Sequence, residues 1–404
     1  MYFDKIPIFS LSCTLMQPKQ KVLLGMSGGV DSSVSAVLLL EAGYEVIGAF
    51  MKNWSGDVHG PEVKGADRIG TSFEECGWKT ERRDAMRVAA QLGIPFLTFD
   101  FEAEYRRDVV EYMFREFEAG RTPNPDVMCN RYMKFDLFLK EADKLGCDFI
   151  ATGHYARTQA RSGDLSHNGV SILKGIDPNK DQTYFLWAID KAVLPRVLFP
   201  IGHLEKPAVR EIAAKHNLEV ATKKDSTGIC FVGEVDMREF LKARMKEDPG
   251  NVVTTEGKVI GKHVGINFYT IGQRHGLDIG GGDPFYVVEK RRETNEIVVG
   301  SNFHPALFKK ELTASQLNWF TALSPFEGES GLPSEVLTKD GERGLVLECE
   351  ARLRHRQPVQ KCVVSRMGDD QVLVTFSEPQ RAVTPGQSIV FYVGDEMIGG
   401  GIID

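Results

Sequence analysis

The sequence predicts an N-terminal α/β domain, a parallel sheet with helices on both faces, followed by a small mainly-β central domain and a C-terminal β-barrel. Strand and helix patterns alternate over the first half of the chain, which favours a parallel sheet. Beyond residue 250, helical periodicity fades and short alternating runs rich in Gly, Val and Thr appear. A length of 404 residues also suits two or three domains.

Residues 21–235 are expected to form the α/β domain. Four short apolar runs predict its strands: KVLLG, YEVIGAF, PFLTF and DFIAT. Amphipathic stretches predict helices, of which the first spans Asp31 to Gly43 and two later ones end at Gly93 and Gly146. A further helical run, PAVREIAAKHNL, extends the domain. Ligands bind at the carboxyl ends of parallel strands, so we expect the functional site there.

The second half of the chain is expected to form two all-β units. Alternating runs predict their strands: DPFYVVEK, NEIVVG, QVLVTF and SIVFYVG. We expect the central domain at residues 236–305 and the barrel at residues 306–404, with the boundary near the Asn302–Pro305 stretch. The segment from Ser324 to Gly344, rich in Gly, Ser, Pro and Glu, is expected to be a surface loop.

Residues 1–20 are expected to be a disordered extension. This stretch has one short apolar patch, but it lacks the basic leader and cleavage site of a signal peptide and the arginines of a transit sequence. No apolar run in the chain approaches the ~20 residues that a membrane span needs. We therefore expect a cytoplasmic protein with no membrane partner.

Charge and cysteine content narrow the functional classes. The net charge is −7, so contacts to nucleic acid would have to come from local basic patches. Seven cysteines without regular spacing argue against a secreted disulfide framework and against a CxxC zinc site. Each cysteine therefore has to be judged by its own surroundings.

The strongest functional signal is GMSGGVDSS, Gly25 to Ser33, between a predicted strand and a predicted helix. A glycine-rich turn there offers backbone N–H groups and the positive end of a helix dipole to an anion. Ser27 and Ser32 add hydroxyl donors, and Asp31 would repel bare phosphate, which implies an intervening Mg²⁺. The lysine of a P-loop and the spacing GxGxxG are both missing, and the whole SGGxDS string disfavours an ordinary glycine turn.

SGGVDS resembles the PP-motif of the ATP pyrophosphatases, which cleave ATP between the α and β phosphates and adenylate an oxygen. That superfamily acts on small molecules and on tRNA, so the motif indicates the activation step without the substrate. The resemblance implies an N-terminal domain of the ATP pyrophosphatase type that uses ATP. It implies that the nucleotide is bound by Gly25, Met26, Ser27, Gly28, Gly29, Val30, Asp31 and Ser32.

Seven further segments distinguish among these enzymes: FMKNW, GRTPNPDVMCN, ATGHYAR, NKDQTYFL, KKDSTGICF, TIGQRHGL and TPGQSIVFY. Together they resemble the tRNA-specific 2-thiouridylase (MnmA/TrmU) family, and the resemblance runs from about Lys21 to the C-terminus. The sequence departs from the family in its N-terminal extension and in Ser55 to Gly77, which is longer and richer in Gly than the usual connection. Neither departure touches the seven segments.

The family resemblance implies ATP-dependent thiolation of the 2-position of the wobble uridine in tRNA. It implies a monomer whose partners are tRNA and a sulfur-donor protein, either a cysteine desulfurase or a relay protein. It places Met51 and Gly153 at the ATP pocket. It places these residues at the tRNA: Asn124, Pro125, Asp126, His154, Lys180, Asp181, Gln182, Arg354, His355 and Gln387.

The chemistry of thiolation calls for two cysteines. Adenylation turns the 2-oxygen of uracil into a leaving group that a sulfur nucleophile can displace. One cysteine has to deliver sulfur as a persulfide, and a second has to release it, leaving a disulfide, or to attack the base first. Cys129 lies in PDVMCN just before a predicted helix, where the dipole and Arg131 would lower its pKa, and Cys230 lies in the loop STGICF. By resemblance, Cys129 is the nucleophile and Cys230 the persulfide carrier.

Alternatives stay open for these residues. Cys129 and Cys230 could be small buried side chains. They could also hold an iron–sulfur cluster with Asp126, because the ligands would be the same residues. Asp126 is either a group that moves a proton during the reaction or an ordinary N-cap or turn residue. The remaining cysteines are expected to be buried small side chains: Cys13, Cys76, Cys147, Cys349 and Cys362.

One basic patch follows from spacing. Arg352, Arg354 and Arg356 alternate, so on a strand they would point to one face and form a guanidinium row suited to phosphates. The spacing fits a solvated charged face equally well, and the family resemblance favours RNA.

Two other functions remain open from the sequence. A PP-motif enzyme that activates a small molecule would leave the β domains and both cysteines unused, and no glutaminase segment is present. A non-catalytic RNA-binding or redox-switch protein would leave SGGVDS unexplained.

Overall fold

The computed structural model describes residues 19–55, 77–160, 169–225, 237–277, 279, 284–320, 333–337, 343–368 and 370–404. Within these ranges the strands are β1 (Lys21–Gly25), β2 (Glu45–Lys52), β3 (Phe96–Asp100), β4 (Phe149–Ala151), β5 (Ala156–Ala160), β6 (Val170–Lys174), β7 (Val197–Leu198), β8 (Gly250–Thr254), β9 (Val259–His263), β10 (Tyr286–Arg291), β11 (Glu296–Gly300), β12 (Phe308–Trp319), β13 (Pro333–Leu337), β14 (Arg343–Arg352), β15 (Gln360–Arg366), β16 (Gln371–Arg381), β17 (Ser388–Val393) and β18 (Glu396–Ile403).

The α-helices are α1 (Val30–Glu41), α2 (Gly77–Leu92), α3 (Glu102–Tyr105), α4 (Glu111–Glu118), α5 (Pro125–Met128), α6 (Phe138–Lys144), α7 (Lys206–Lys215) and α8 (Met237–Lys242). π-helical segments, Arg106–Val110 and Cys129–Leu137, connect α3 to α4 and α5 to α6. In the part of the chain that the structure describes, no helix is both long enough and apolar enough to cross a membrane.

The N-terminal sheet contains five parallel strands in the order β3–β2–β1–β4–β7. Side chains of β1 alternate between its faces, because successive residues of a strand point in opposite directions. Val22 and Leu24 enter one apolar core, and Leu23 enters the other. The sheet therefore buries both faces, as its nearly continuous apolar runs require.

Helices cover each face of this sheet. The core around Val22 includes Val34 of α1, Ala85 of α2 and Val209 of α7. The core around Leu23 includes residues of the two helical runs that contain the π-helical segments, among them Phe138. The parallel sheet with helices on both faces that the sequence predicts is confirmed.

Two further sheets form the β part of the molecule. The central domain has a four-stranded sheet in the order β10–β11–β8–β9. In the C-terminal domain six strands follow the order β12–β16–β15–β14–β17–β18, and β12 also pairs with β18, which closes a barrel. Closure leaves these six strands without a free edge. The predicted mainly-β centre and C-terminal barrel are confirmed.

Two details of the predicted organisation are wrong. The segment from Ser324 to Gly344 is not simply a loop, because β13 lies within it and pairs with β14. The sequence analysis also missed β5 and β6, which pair with each other and, through Met397 opposite Ile172, with β18 of the barrel. Their pairing partner is more than 200 residues away, so local patterns alone did not reveal them.

Candidate active site

The loop between β1 and α1, Gly25–Ser32, is called the nucleotide loop below. It lies at the carboxyl end of β1, where the strand order turns from β2 on one side to β4 on the other. Crevices at such a switch point are the usual ligand sites of open parallel sheets. The structure therefore brings the predicted nucleotide-binding residues to the expected edge.

The N-terminus of α1 is open toward an anion. Its N-cap, Gly29, makes no side-chain capping bond, and the first N–H groups of a helix have no acceptor within the helix. Ser32 Oγ accepts from the N–H of Ser27 at 3.2 Å and lies 3.4 Å from Ser27 Oγ. Ser32 Oγ in turn donates to the Gly29 carbonyl at 3.2 Å, so the two hydroxyls shape the loop, and the dipole and first N–H groups of α1 offer a site for phosphate.

Glycines let the backbone approach closely at this point. Gly28 has φ +75°, and a Cβ on it would lie 2.2 Å from the carbonyl oxygen of Glu81. A Cβ on Gly153 would lie 2.8 Å from the N–H nitrogen of Ser32. Neither position accepts a side chain, so Gly153, beyond β4, packs directly against the start of α1. Met51 belongs to the same edge, because its Cε would lie 3.1 Å from a Cβ on Gly25.

The carboxylate of Asp31 is paired within the protein, which the sequence analysis did not anticipate. Lys206 Nζ donates to both of its oxygens at 2.8 and 2.9 Å, and the hydroxyl of Tyr155 donates at 2.8 Å. Lys206, which Asp31 shares with Asp225, thus compensates part of the charge of Asp31, and Mg²⁺ at this site stays a prediction. Lys206 is 175 positions from Asp31, and no local motif links them.

A second carboxylate, Asp225, extends this network. It pairs with Lys206 at 2.7 Å, with Arg210 at 2.9 Å and with Lys180. Burial alone would raise the pKa of Asp225, but hydrogen bonds from Lys180 and Lys206 outweigh it and hold the pKa at about 2. On the other side of the nucleotide loop, Lys223 donates to the carbonyl of Gly28 at 3.0 Å. Basic side chains thus surround a loop that has no lysine of its own.

A buried side-chain amide with no hydrogen-bond partner among the described residues lies near the same edge. Asn53, in the FMKNW segment just after β2, is 1% exposed, and neither its oxygen nor its nitrogen has a partner among the described residues. Buried amides are nearly always hydrogen-bonded in proteins. Asn53 therefore retains donor and acceptor capacity for a ligand, a feature that the sequence analysis missed.

Cys129 lies one turn inside a helical run, and not just before a helix as predicted. The run begins at Pro125 and continues through Lys144 into β4. A helix that leads into a parallel strand starts at the carboxyl edge of the sheet, so Cys129 belongs to the same edge as the nucleotide loop. The thiol is fully buried, and Arg131 is exposed with its guanidinium over the Tyr132 ring.

The start of this run is called the Cys129 turn, Asn124–Cys129. Asn124 is the N-cap of α5 and is buried, and Asp126 lies in the first helical turn. The alternative that Asp126 is an N-cap is therefore wrong. The run packs against the nucleotide loop, since a Cβ on Gly25 would lie 3.8 Å from Phe138 Cε1.

Cys230 lies outside the described residues, as do Cys13 and Cys76. Its distance from Cys129 and its choice between persulfide and iron–sulfur chemistry stay predictions. Within the described ranges, no three His, Cys, Asp or Glu side chains converge as a metal site would. Cys147 and Cys362 are buried, as expected, and Cys349 is half-buried with its sulfur 3.7 Å from that of Cys362.

Three of the residues assigned to tRNA by resemblance make hydrogen bonds or ion pairs inside the protein. His154 is buried with Nδ1 2.7 Å from the Thr152 hydroxyl, and burial lowers its pKa well below the usual range. Asp181 is 2% exposed and pairs with Arg352 at 2.6 Å. Gln182 accepts from the backbone N–H of Tyr155 at 3.0 Å. Lys180 is half-buried and pairs with Asp225, and a tRNA contact stays a prediction for all four.

The predicted row of arginines on one strand face is wrong. β14 ends at Arg352, whose side chain is buried and donates to the carboxylate of Asp181. Arg354 and Arg356 follow in a turn, with Arg356 at φ +64°, and both are exposed. Arg354 donates to the carbonyls of residues 381 and 382, so its role as an RNA contact stays a prediction.

The other two barrel residues assigned to tRNA lie against the N-terminal domain. The ring of His355 packs on that of Phe185 with centroids 4.7 Å apart. Burial, with the charge of Arg356, lowers the pKa of His355 to about 4. Gln387 donates to the carbonyls of Thr122 and Pro123 at 2.9 and 3.2 Å.

Comparisons with known proteins cover all three regions. The model of the tRNA methyl transferase HUP domain matches residues 20–234, that of the tRNA methyl transferase PRC-barrel domain matches residues 238–301, and that of the aminomethyltransferase beta-barrel domain matches residues 309–403. A curated relative from Halalkalibacterium halodurans is 46% identical over 96% of this chain and 96% of its own. One from Pseudomonas aeruginosa is 47% identical over 96% and 95%. Both are named tRNA-specific 2-thiouridylase MnmA, and with this full-length agreement the chain belongs to the tRNA-specific 2-thiouridylase family.

Proposed function

We propose that this protein replaces the 2-oxygen of the wobble uridine in tRNA with sulfur, at the expense of ATP. The observation that carries the proposal is that the N-terminus of α1 lies at the same sheet edge as Cys129. The proposed activation site and the candidate sulfur nucleophile therefore lie at one edge of the sheet. The full-length similarity to 2-thiouridylases supports tRNA uridine as the substrate.

The first step is activation of the base. The nucleotide loop holds the phosphates through the dipole and the first N–H groups of α1, and Ser27 and Ser32 shape the loop by hydrogen bonding to each other. The uridine 2-oxygen attacks the α-phosphorus of ATP, the bond to the β-phosphate breaks, and pyrophosphate leaves. The dipole at the N-terminus of α1 favours a leaving group with several negative charges.

The second step is sulfur transfer. The terminal sulfur of a persulfide on Cys230 attacks C2 of the base, and AMP leaves with the former 2-oxygen. The thiolate of Cys129 then attacks the inner sulfur, which forms a Cys129–Cys230 disulfide and releases the thiocarbonyl. A thiol reductant restores both cysteines. Asp126, three residues before Cys129, is the proposed group that moves a proton in this sequence.

The remaining partners belong to this proposal. Mg²⁺ would accompany ATP and reduce the charge on its phosphates, as is usual for nucleotides, and no step above goes through the ion. A cysteine desulfurase or a relay protein would supply the persulfide sulfur. The enzyme would act as a cytoplasmic monomer.

Two cysteine variants test the proposal. Unmodified tRNA is incubated with ATP, a cysteine desulfurase with cysteine as the source of persulfide sulfur, and the Cys129→Ser or Cys230→Ser protein, and AMP and 2-thiouridine are measured in the same sample. Both variants should lose thiolation, and Cys230→Ser should still form AMP because activation does not use the carrier. Cys147→Ser, at a buried thiol of another loop, is the matched control and should thiolate normally. ADP as the nucleotide product, or near-parental thiolation by either variant, would refute the mechanism.

A further inference from the structure

The backbone that leads into the Cys129 turn is held from outside the N-terminal domain. This lead-in segment, Glu118–Pro123, connects α4 to the turn. Its first three carbonyl oxygens accept hydrogen bonds from the central domain. Arg292 donates to the first two at 2.8 Å each, and Lys290 donates to the third at 2.9 Å. Cationic donors make these bonds stronger than those between neutral groups.

The barrel holds the other end of the lead-in segment. Gln387 uses its amide nitrogen to donate to the carbonyls of Thr122 at 2.9 Å and Pro123 at 3.2 Å. The backbone N–H of Thr122 donates in return to the carbonyl of Pro385 at 2.9 Å. An amide nitrogen carries two hydrogens, so both donors of Gln387 are committed to the two residues before Asn124.

The backbone of the barrel approaches the lead-in segment closely, and a cavity lies beside this contact. Gly386 has φ +89°, and a Cβ on it would lie 2.9 Å from the N–H nitrogen of Thr122, so the barrel backbone touches the lead-in segment directly. A cavity of about 260 Å³ lies beside it, lined by residues of all three domains. Lys290 and Arg292, which donate to the segment, also line this cavity. Directed hydrogen bonds from both β domains therefore place the segment.

From these contacts we infer that Gln387 is a positioning residue: through the carbonyls of Thr122 and Pro123 it fixes the Cys129 turn. The barrel thereby sets the geometry of the active site, with Lys290 and Arg292 doing the same from the central domain. This goes beyond the tRNA contact that family resemblance gives to Gln387. It rests on the proposed function only in treating Cys129 as the nucleophile.

The decisive measurement is the alkylation rate of Cys129 without tRNA or ATP. Cys129 is buried, so iodoacetamide reaches it only when the turn opens locally. Gln387→Ala removes two hydrogen bonds from the lead-in segment and should accelerate alkylation of Cys129 about tenfold, as followed by peptide mass spectrometry. Because this readout needs no thiolation, a failure of the proposed function would leave it intact.

Internal and matched controls separate local opening from general loosening. Cys147 is also buried, and its alkylation in the same sample should not change. Gln371→Ala removes another barrel glutamine, one that donates to Asp404 at 3.0 Å, and should leave Cys129 as slow as in the parent protein. If Gln387→Ala folds poorly, Gln387→Glu keeps the size of the side chain and turns a carboxylate toward the two carbonyls. It should show the same acceleration.

Activity provides the second readout. A positioning role predicts that Gln387→Ala lowers kcat for thiolation about tenfold with KM for tRNA unchanged within twofold. Lys290 of the central domain donates to the carbonyl of Gly120, so Lys290→Met should also accelerate alkylation of Cys129. Unchanged Cys129 alkylation in folded Gln387→Ala and Gln387→Glu proteins would overturn the inference. A raised KM with unchanged kcat and alkylation would return Gln387 to a direct RNA contact.

Discussion

The nucleotide loop and the Cys129 turn lie at the same edge of one sheet, but different parts of the chain hold them. The nucleotide loop is held within the N-terminal domain, where Gly28 packs against Glu81, Lys223 donates to the Gly28 carbonyl and Lys206 pairs with Asp31. The Cys129 turn follows a segment whose carbonyls are held by residues of two other domains, with Gln387 265 positions away from Thr122. The loop proposed to bind ATP is thus held by contacts inside one domain, and the inferred placement of the Cys129 turn depends on the assembly of three domains.

The two regions should therefore be vulnerable to different substitutions. A change in the loop should impair nucleotide binding without disturbing the Cys129 turn. A change at the domain junction should disturb the Cys129 turn and leave nucleotide binding intact. The following variants test that separation, in order of decreasing effect.

Gly28→Ala should weaken ATP binding strongly. The new Cβ would meet the Glu81 carbonyl oxygen at 2.2 Å and would be strained at φ +75°, so the loop has to move. We expect ATP affinity, measured by calorimetry, to fall by about a hundredfold or more, because ~3 kcal/mol of strain is of the order expected for such a site.

Gly43→Ala provides the control for Gly28→Ala. Gly43 also has positive φ, at +88°, but no atom lies within 4 Å of its added Cβ. Gly43→Ala should lower the free energy of unfolding and leave the affinity for ATP unchanged. Cys129 alkylation should stay slow in both proteins. Parental ATP affinity in Gly28→Ala, or rapid alkylation of its Cys129, would break the separation between the two regions.

Lys206→Met should destabilise the fold by about 2 kcal/mol, because it leaves Asp31 and Asp225 without a shared cation in a partly buried network. Urea unfolding gives the free energy of unfolding. Lys140→Met, which breaks an exposed pair with Asp136, should cost less than ~0.5 kcal/mol. Lys206→Arg should recover part of the loss. Equal effects of Lys206→Met and Lys140→Met would show that the nucleotide loop needs no support from α7.

The smallest expected effect is the pH dependence of stability that arises from His355 of the barrel domain. Its folded pKa of about 4 lies below the value of about 6.5 in an unfolded chain. The unfolded state therefore binds more protons between these values, so the stability that His355 contributes is present above pH 6.5 and is lost as pH falls toward 4. We expect a decrease of about 1 kcal/mol between pH 7 and pH 5, discounted for partial exposure.

His355→Gln should remove that part of the pH dependence in urea unfolding. A residual slope should remain, since burial also lowers the pKa of His154 and of His263. An identical pH profile for His355→Gln and the parent would show that protonation of this ring is not linked to folding.

The sequence was most informative where structure is local. The strand runs, the glycine loop and the helix after it are specified by neighbouring residues, so their positions were predicted closely. Pairings over long separations were missed, among them Lys206 with Asp31 and Asp181 with Arg352. The row of arginines failed for the same reason: Arg352 turns inward to meet a partner 171 positions earlier, and β14 ends there.

The reach of Gln387 back to Thr122 imposes an order on synthesis and folding. Domains fold largely as units while the chain emerges at about 5–20 residues per second, so the N-terminal sheet can assemble early. The carbonyls of Thr122 and Pro123 lack this hydrogen-bond donor until Gln387, 265 residues after Thr122, has been synthesised. The delay is roughly 15–50 s at these rates. β18, which closes the barrel and also pairs with β6, comes later still. A nascent chain therefore completes its nucleotide loop well before its Cys129 turn is fixed, and any chain cut short ahead of residue 387 carries the loop without the support of the turn.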